Sequence, residues 1–239
     1  MFLQIVRRYD IILIQELRGP DGKVTDKLKA LVNQDIPINS PHHFDKISSE
    51  PQGPGGYKER YLFLYKFQKV SVTCSFQYDE GKRGVFSRPP FVVKFSSTQT
   101  AVKEFVLIPI HTKPDHAVEE LNALVKVVDA AKLKWTNNNI MVLGDFNADG
   151  TYVTKKDWKN IRLFTNTYFH WLIANGVDTT VAAKSSNTYD RIVVTTEMEK
   201  GVEGSAEVFN FKTNYGLTQA QAEDVSDHFP VEVRLKLKP

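Results

Sequence analysis

Two histidines and a group of carboxylates in this chain stand where they could do acid–base work. Asp145 and Asn147, two positions apart, follow the apolar run Ile140-Met-Val-Leu143 and Gly144. Such a run reads as a buried strand and glycine permits a close backbone approach, so both polar groups project from the strand's carboxyl end. An Asp and an Asn after a strand also commonly close their own turn. What separates the two readings is whether other residues converge on the same place. Glu16 follows the apolar run after Tyr9, Glu59 precedes Tyr61–Tyr65, and His111 ends Glu104–Ile110. Asp190 opens the run to Val194, and Asp227 and His228 open the last apolar segment. All of these lie at strand termini, where a sheet scaffold presents a site.

The set contains no serine or cysteine paired with a base. It therefore suits hydrolysis by an activated water better than covalent catalysis. Hard oxygen donors favour Mg²⁺, Mn²⁺ or Ca²⁺ over zinc, which prefers more histidine or cysteine. A phosphate ester fits such a site: its cleavage needs a base for water, an acid for the leaving oxygen, and positive charge against the developing negative charge. A carboxylate bonded to each histidine would set its tautomer and raise its basicity.

The elements that position these groups are legible from pattern. Strands are expected at 9–14, 61–65, 70–76, 91–95, 104–110, 140–143, 189–194 and 226–235, with a helix over Val24–Gln34 and a longer one from Pro114 to Trp135. Met1–Arg8 reads as the last turns of a helix, 158–163 and 168–174 as short helical pieces, and Gly19–Gly22 as a turn. Strands apolar on both faces, with helices between them, predict a mixed two-layer sheet core covered by helices. With 239 residues, 41% of them hydrophobic, a single domain spanning 1–239 is expected.

A net charge of +3 and a pI near 8.8 would help a polyanion approach without identifying one. The one cysteine, Cys74, reads as a half-buried strand residue and allows no internal disulfide. No signal-peptide core or membrane-length run is present, so a soluble chain without a targeting segment and without membrane contact is expected. His42, His43, His116 and His170 read as structural or solvated, Trp135, Trp158 and Trp171 as core, and Glu59 could equally be a surface partner of Lys58 or Arg60.

The segments Tyr9–Glu16, Tyr57-Lys-Glu-Arg60, Pro109-Ile-His111, Gly144-Asp-Phe-Asn-Ala148, Tyr189–Val194 and Ser226–Glu232, in this order, resemble the successive motifs of the deoxyribonuclease I family. The Gly-Asp-Phe-Asn and Ser-Asp-His motifs are shared with the wider endonuclease, exonuclease and phosphatase superfamily. Val85-Phe-Ser-Arg88 and Val225–Phe229 lean toward gamma-type members. The resemblance implies a four-layer α/β/β/α sandwich of two mixed sheets that nicks double-stranded DNA with divalent cations, leaving 5′-phosphate ends, and acts as a monomer. It implies that His111 pairs with Glu59 and His228 with Asp190, one couple as general base and the other as general acid. Glu16 and Asp227 would hold Mg²⁺ or Mn²⁺, and Asp145 and Asn147 would contact the metal or the scissile phosphate. Arg18 and Tyr57 would lie along the minor groove, Arg88 on a phosphate, and Asp178 and Thr180 at a structural Ca²⁺. An exported protein is implied, and intracellular retention stays open.

The departures generate expectations too. Members of the family begin with a central strand carrying a metal-adjacent Asn. This chain starts near the end of the helix that follows that strand, so a sheet with two unpaired edges is expected. The family's disulfide has no cysteines at Gly150 or the Asn187-Thr188 region, Arg88 is followed by Pro89-Pro90 in place of Glu-Pro, and the actin-binding patch is Lys46-Ile47-Ser48, so actin binding is not expected. Two rival readings are a relative hydrolysing a smaller phosphodiester, of sphingomyelinase or inositol phosphatase type, and a catalytically inactive, truncated DNA-binding homologue.

Overall fold

The computed structural model describes residues 1–19, 21–81 and 84–239; Pro20 of the expected Gly19–Gly22 turn lies outside them. The chain runs α1 (Phe2–Arg7), β1 (Ile11–Leu17), α2 (Lys23–Val32), β2 (Phe44–Ser48), β3 (Arg60–Lys66), β4 (Val70–Gln77), β5 (Phe91–Ser97) and β6 (Glu104–His111). It continues through α3 (Ala117–Trp135), β7 (Ile140–Asp145), α4 (Arg162–Thr165), β8 (Phe169–Trp171), β9 (Asp190–Thr195) and α5 (Thr196–Glu199). The last elements are β10 (Val202–Val208), α6 (Phe211–Asn214), α7 (Gln219–Glu223) and β11 (Val231–Leu235).

One sheet has six strands in the order β4-β5-β6-β7-β9-β8, with β6 and β7 parallel and the other ladders antiparallel. Facing it are a three-stranded sheet, β1-β3-β2, and the pair β10-β11. The alternation along β6 shows how the layers form. Phe105 and Leu107 join Phe63, Phe95, Met141 and Ile192 in the core between the sheets, while Val106, Ile108 and Ile110 face α3 through Leu121, Leu124 and Val128. On the opposite flank Leu62 and Leu64 of β3 pack with Val6 of α1 and Val32 of α2. The result is an α/β/β/α sandwich. No helix among the described residues is long and apolar enough to cross a membrane.

Four details differ from expectation. Residues 168–174 contain the strand β8 in place of a helix, so His170 sits on a sheet edge, its Nε2 2.9 Å from Thr196 Oγ1. Cys74 is exposed: a bulge at Thr73 reverses the alternation of β4, sending Val72 toward one face and Phe76 toward the other. The polar strands β2 and β10 carried too little apolar signal, although Val202, Gly204, Ala206 and Val208 do alternate with polar residues. The last strand begins at Val231, leaving 226–228 as loop.

The missing disulfide has a structural counterpart. A Cβ added to Gly150 would lie 3.1 Å from Asn187 Oδ1, so the two segments are adjacent. They are held by Asp149 Oδ2, which accepts from Thr188 N at 2.8 Å, and by the buried Arg191, which donates to carbonyls of Thr188, Ile173 and Ala148. The double variant Gly150→Cys/Asn187→Cys is expected to form the bridge when oxidised and to be more stable by about 2 kcal/mol oxidised than reduced, read as a melting temperature that falls on reduction. The left-handed φ of 61° at Gly150 lowers the reduced variant below the parent.

Candidate active site

Sheet register assembles the site. β6 and β7 align His111 with Asp145, and β7 and β9 align Asp145 with Asp190, so three chemically active residues stand side by side at one level. His228 arrives from the loop before β11 through an isolated bridge with Thr180. Glu16 arrives from the facing sheet, at the end of β1, where the register slips between Ile14 and Leu17 and Glu16 takes a left-handed φ of 58°. A bulge of this kind re-aims a side chain next to a site.

Gln15 joins the two sheets there. Its amide donates to Ile110 O at 2.8 Å and its oxygen accepts from Asp145 N at 3.0 Å. This approach requires Gly144, with φ 130°, because any Cβ there would overlap Ile110 O and press on the Gln15 amide.

Two histidine–carboxylate couples result. His111 Nδ1 is 2.8 Å from Glu59 Oε2, and His228 Nδ1 is 2.6 Å from Asp190 Oδ2. His111 Nε2 points toward Asp145, 3.7 Å from Oδ2. Glu16, His111, Asp145, Asp190, Asp227 and His228 all line one large groove. Glu59 and Asn147 stand behind it: Glu59 is buried under His111, and Asn147, with φ 46°, donates its backbone N–H to Asp145 Oδ1 and its amide to Thr112 O.

Arg88, expected on a phosphate, is buried instead. It donates to the carbonyls of His111 and Thr112 and lies 3.8 Å from Glu59, so it holds the His111 couple in place. Arg18 and Tyr57 do come together in solvent, the guanidinium 3.8 Å above the ring centre. Asp178 and Thr180 lie apart in a cavity of about 210 Å³. There Thr180 donates both its N–H and its hydroxyl to Asp178, and Lys212 is a neighbour. One carboxylate beside a lysine does not fit a Ca²⁺ cage of about six to eight oxygens.

The charges explain the protonation states. Burial, then the charge of Asp190, pushes Asp145 up to about 6 against the pull of both histidines. Burial pulls His228 down, but its bond to Asp190 and the charges of Asp190, Asp145 and Asp227 overcome this and push it up to about 10. Burial raises Glu59, and the bond from His111 with the charges of Arg88 and Arg18 outweighs it and holds it low. Among the described residues no three histidine, cysteine or acidic side chains close into a ready-made metal cage. The donors nevertheless fit a Mg²⁺-like ion, which is commonly held by only one or two carboxylates together with substrate phosphate. Glu16 and Asp227 are exposed on the same groove, and the repulsion between Asp145 and Asp190 is what a cation would relieve.

Residues 1–228 match the model of the Endonuclease/Exonuclease/phosphatase family. The chain is 47% identical over 239 residues to Deoxyribonuclease-1 of Bos taurus, covering 98% of this chain and 83% of the bovine protein. It belongs to the deoxyribonuclease I family. Deoxyribonuclease gamma of Homo sapiens is 42% identical over 241 residues, covering 99% of this chain and 78% of that protein. Among solved structures, an endonuclease/exonuclease/phosphatase from Bacteroides vulgatus superposes with a TM-score of 0.65 at 18% identity, covering 99% and 88% of the two chains, which extends the fold likeness across the superfamily. Within this deoxyribonuclease I family chain, sequence reasoning missed Gln15, Thr112, Tyr61 and Arg191 as supports. Gln15 and Arg191 lay inside the quoted motifs, beside Glu16 and Asp190. The hydroxyl of Tyr61, by contrast, bridges His111 N and Arg88 O from within a fully apolar run, without any local signal.

The raised groups set a pH dependence. Each has a folded value above its unfolded one, so each contributes stability that is present below the unfolded value and lost as pH rises. That window runs from 3.8 to about 6 for Asp145 and from 6.5 to about 10 for His228. Asp145→Asn, which stays neutral, is expected to be more stable than the parent above about pH 6 by about 1–3 kcal/mol, with a flatter profile below, in denaturant titrations containing chelator.

Proposed function

We propose that the chain is a divalent-cation-dependent endonuclease that hydrolyses phosphodiester bonds of double-stranded DNA, leaving 5′-phosphate ends. As a member of the deoxyribonuclease I family it is a hydrolase of the deoxyribonuclease type. The observation that carries the finer reading is the convergence of the His111–Glu59 and His228–Asp190 couples on one groove.

In this reading His111 is the base. Glu59 holds its Nδ1, which leaves Nε2 to take a proton from the water that attacks phosphorus. His228 enters with its proton, held cationic by Asp190, Asp145 and Asp227, and gives it to the O3′ that leaves as the bond to phosphorus breaks. Asp145, held in place by the backbone N–H of Asn147, orients the water and the phosphate from between the couples. A divalent cation held by Glu16 and Asp227 would neutralise the negative charge growing on the phosphoryl oxygens.

Duplex DNA is favoured over a small phosphodiester by the exposed Arg18–Tyr57 pair, a flat cationic and aromatic surface suited to a groove. A reading without actin rests on Lys46, which stands in place of the family's apolar patch and is engaged by Asp26 and Thr25.

His111→Ala and His228→Ala are each expected to lower supercoiled-plasmid nicking in Mg²⁺ by about a hundredfold or more while leaving circular dichroism unchanged. Near-full activity in both overturns the mechanism. Arg18→Ala is expected to weaken duplex binding and to flatten its salt dependence by about one counterion, measured by anisotropy across a salt series; an unchanged slope removes Arg18 from the DNA contact.

A further inference from the structure

The positive charge of this chain is concentrated in one place. Between Gly150 and Arg162 the bases Lys155, Lys156, Lys159 and Arg162 stand against a single acid, Asp157, a net charge of +3 that equals the +3 of the whole chain. The remaining residues are therefore neutral in sum. Several lysines elsewhere are tied to carboxylates, Lys29 to Asp45, Lys46 to Asp26 and Lys94 to Glu104. Lys155, Lys156 and Lys159 are exposed, and none of them pairs with an acid among the described residues. Asp157 is itself engaged by Thr154, accepting its N–H at 2.8 Å and its hydroxyl at 2.6 Å.

An exposed run of lysines is ordinarily a solvated face. Two features set this one apart. The first is rigidity. Val153, Ile161 and Leu163 are buried beneath the segment, and the Trp158 ring packs 4.6 Å from Phe164 and 5.4 Å from Trp171, centre to centre, so the lysines ride on a fixed surface. The second is location. The exposed ring of Tyr152 lies 5.7 Å from that of Tyr189, which lies 6.4 Å from the ring of His228. Lys156 is four residues beyond Tyr152, so even an extended chain of about 3.5 Å per residue keeps its backbone within roughly one 34 Å turn of duplex from His228. The Arg18–Tyr57 pair stands at the other couple, where the charge of Arg18 helps hold Glu59 low. The two cationic surfaces thus belong to different couples, one to Glu59–His111 and the other to Asp190–His228. Ammonium groups on a rigid surface suit phosphates repeated along a backbone and carry no information about base sequence.

We propose that residues 150–162 form a second duplex-contact surface, on which Lys155, Lys156 and Lys159 hold backbone phosphates beyond His228, within about one turn of the bond that is cut. This rests on the nuclease reading above and deepens it: the substrate is gripped at Arg18 on one side of the scissile phosphate and at the lysines on the other, so a duplex long enough to reach both is preferred.

The test uses the full chain and a fluorescein-labelled duplex of about 24 base pairs, a little over two turns. Lys155→Gln/Lys156→Gln/Lys159→Gln is compared with Lys103→Gln/Lys200→Gln/Lys238→Gln, which loses the same charge from exposed positions at the ends of the sheets away from His111 and Asp190. Anisotropy in chelator across a salt series is expected to show the slope of log affinity against log salt reduced by about two to three in the first variant and by less than about one in the second. In Mg²⁺ the KM for supercoiled plasmid is expected to rise about tenfold in the first variant, with kcat within about twofold of the parent. Arginine at the same three positions is expected to restore both, since it keeps the charge. An unchanged slope overturns the proposal. So does an equal loss in the second variant, which makes the effect one of net charge alone. Lysine-dependent duplex binding without any nicking by the parent upholds the surface and overturns the nuclease reading, whereas nicking with a KM indifferent to the lysines does the reverse.

Discussion

The amide of Gln15 is the tie on which the catalytic arrangement depends. It reaches from β1 in one sheet to Ile110 of β6 and Asp145 of β7 in the other, and it does so at the level where the reactive side chains emerge. The core between the sheets is otherwise apolar there, and apolar packing is non-directional. A hydrogen-bonded amide fixes what such packing leaves loose, namely the height of one sheet against the other. Gly144 is the price of this contact, since the amide occupies the space a side chain would need. The bulge that turns Glu16 outward follows immediately, so one dipeptide both locks the layers and delivers a carboxylate.

From that tie outward, the site is a problem of placing like charges together. Asp145 and Asp190 are opposed on neighbouring strands, and the fold tolerates them through compensation on each side. His228 supplies positive charge from the loop, Arg88 and His111 surround Glu59, and Asn147 donates its backbone N–H to Asp145. Burial raises the cost of every ionised member, and the remaining strain is visible in the elevated Asp145. This favours binding of cations and of groups that share a proton, and it makes the site less stable than an apolar cluster of the same size would be.

The split of the second sheet has the same origin as its exposure. Leu13, Val233 and their neighbours are half-buried because backbone pairing stops at β1 and β11, although the side chains on both strands continue the core. Glu16, near the end of β1, and Asp227, in the loop before β11, stand on either side of the opening, whereas His111, Asp145 and Asp190 are held inside a continuous sheet. Rigidity is therefore unequal within the site: His111, Asp145 and Asp190 are framed by one continuous sheet, whereas His228, like Asp227, comes from the loop before β11.

By itself the sequence determined the elements whose apolar period is strong, β3, β6, β7, β9 and α3, and with them the layer order, because burial on one or both faces leaves a direct trace in residue type. It also determined the chemical inventory, and the resemblance carried by its motifs implied the couples Glu59–His111 and Asp190–His228. Tertiary structure decided the rest. The strands β2 and β10, the strand at His170, and the flip of Cys74 by a bulge follow from pairing partners far away in the chain, and local pattern does not carry them. Arg88 became a buried support because the carbonyls of His111 and Thr112 converge on it from β6, not because of anything around it in sequence. Whether Arg18 meets Tyr57, and whether two strand edges face each other across a groove, are likewise matters of which distant segments the fold brings together. Residue types set which interactions are available; packing in three dimensions sets which of them are made.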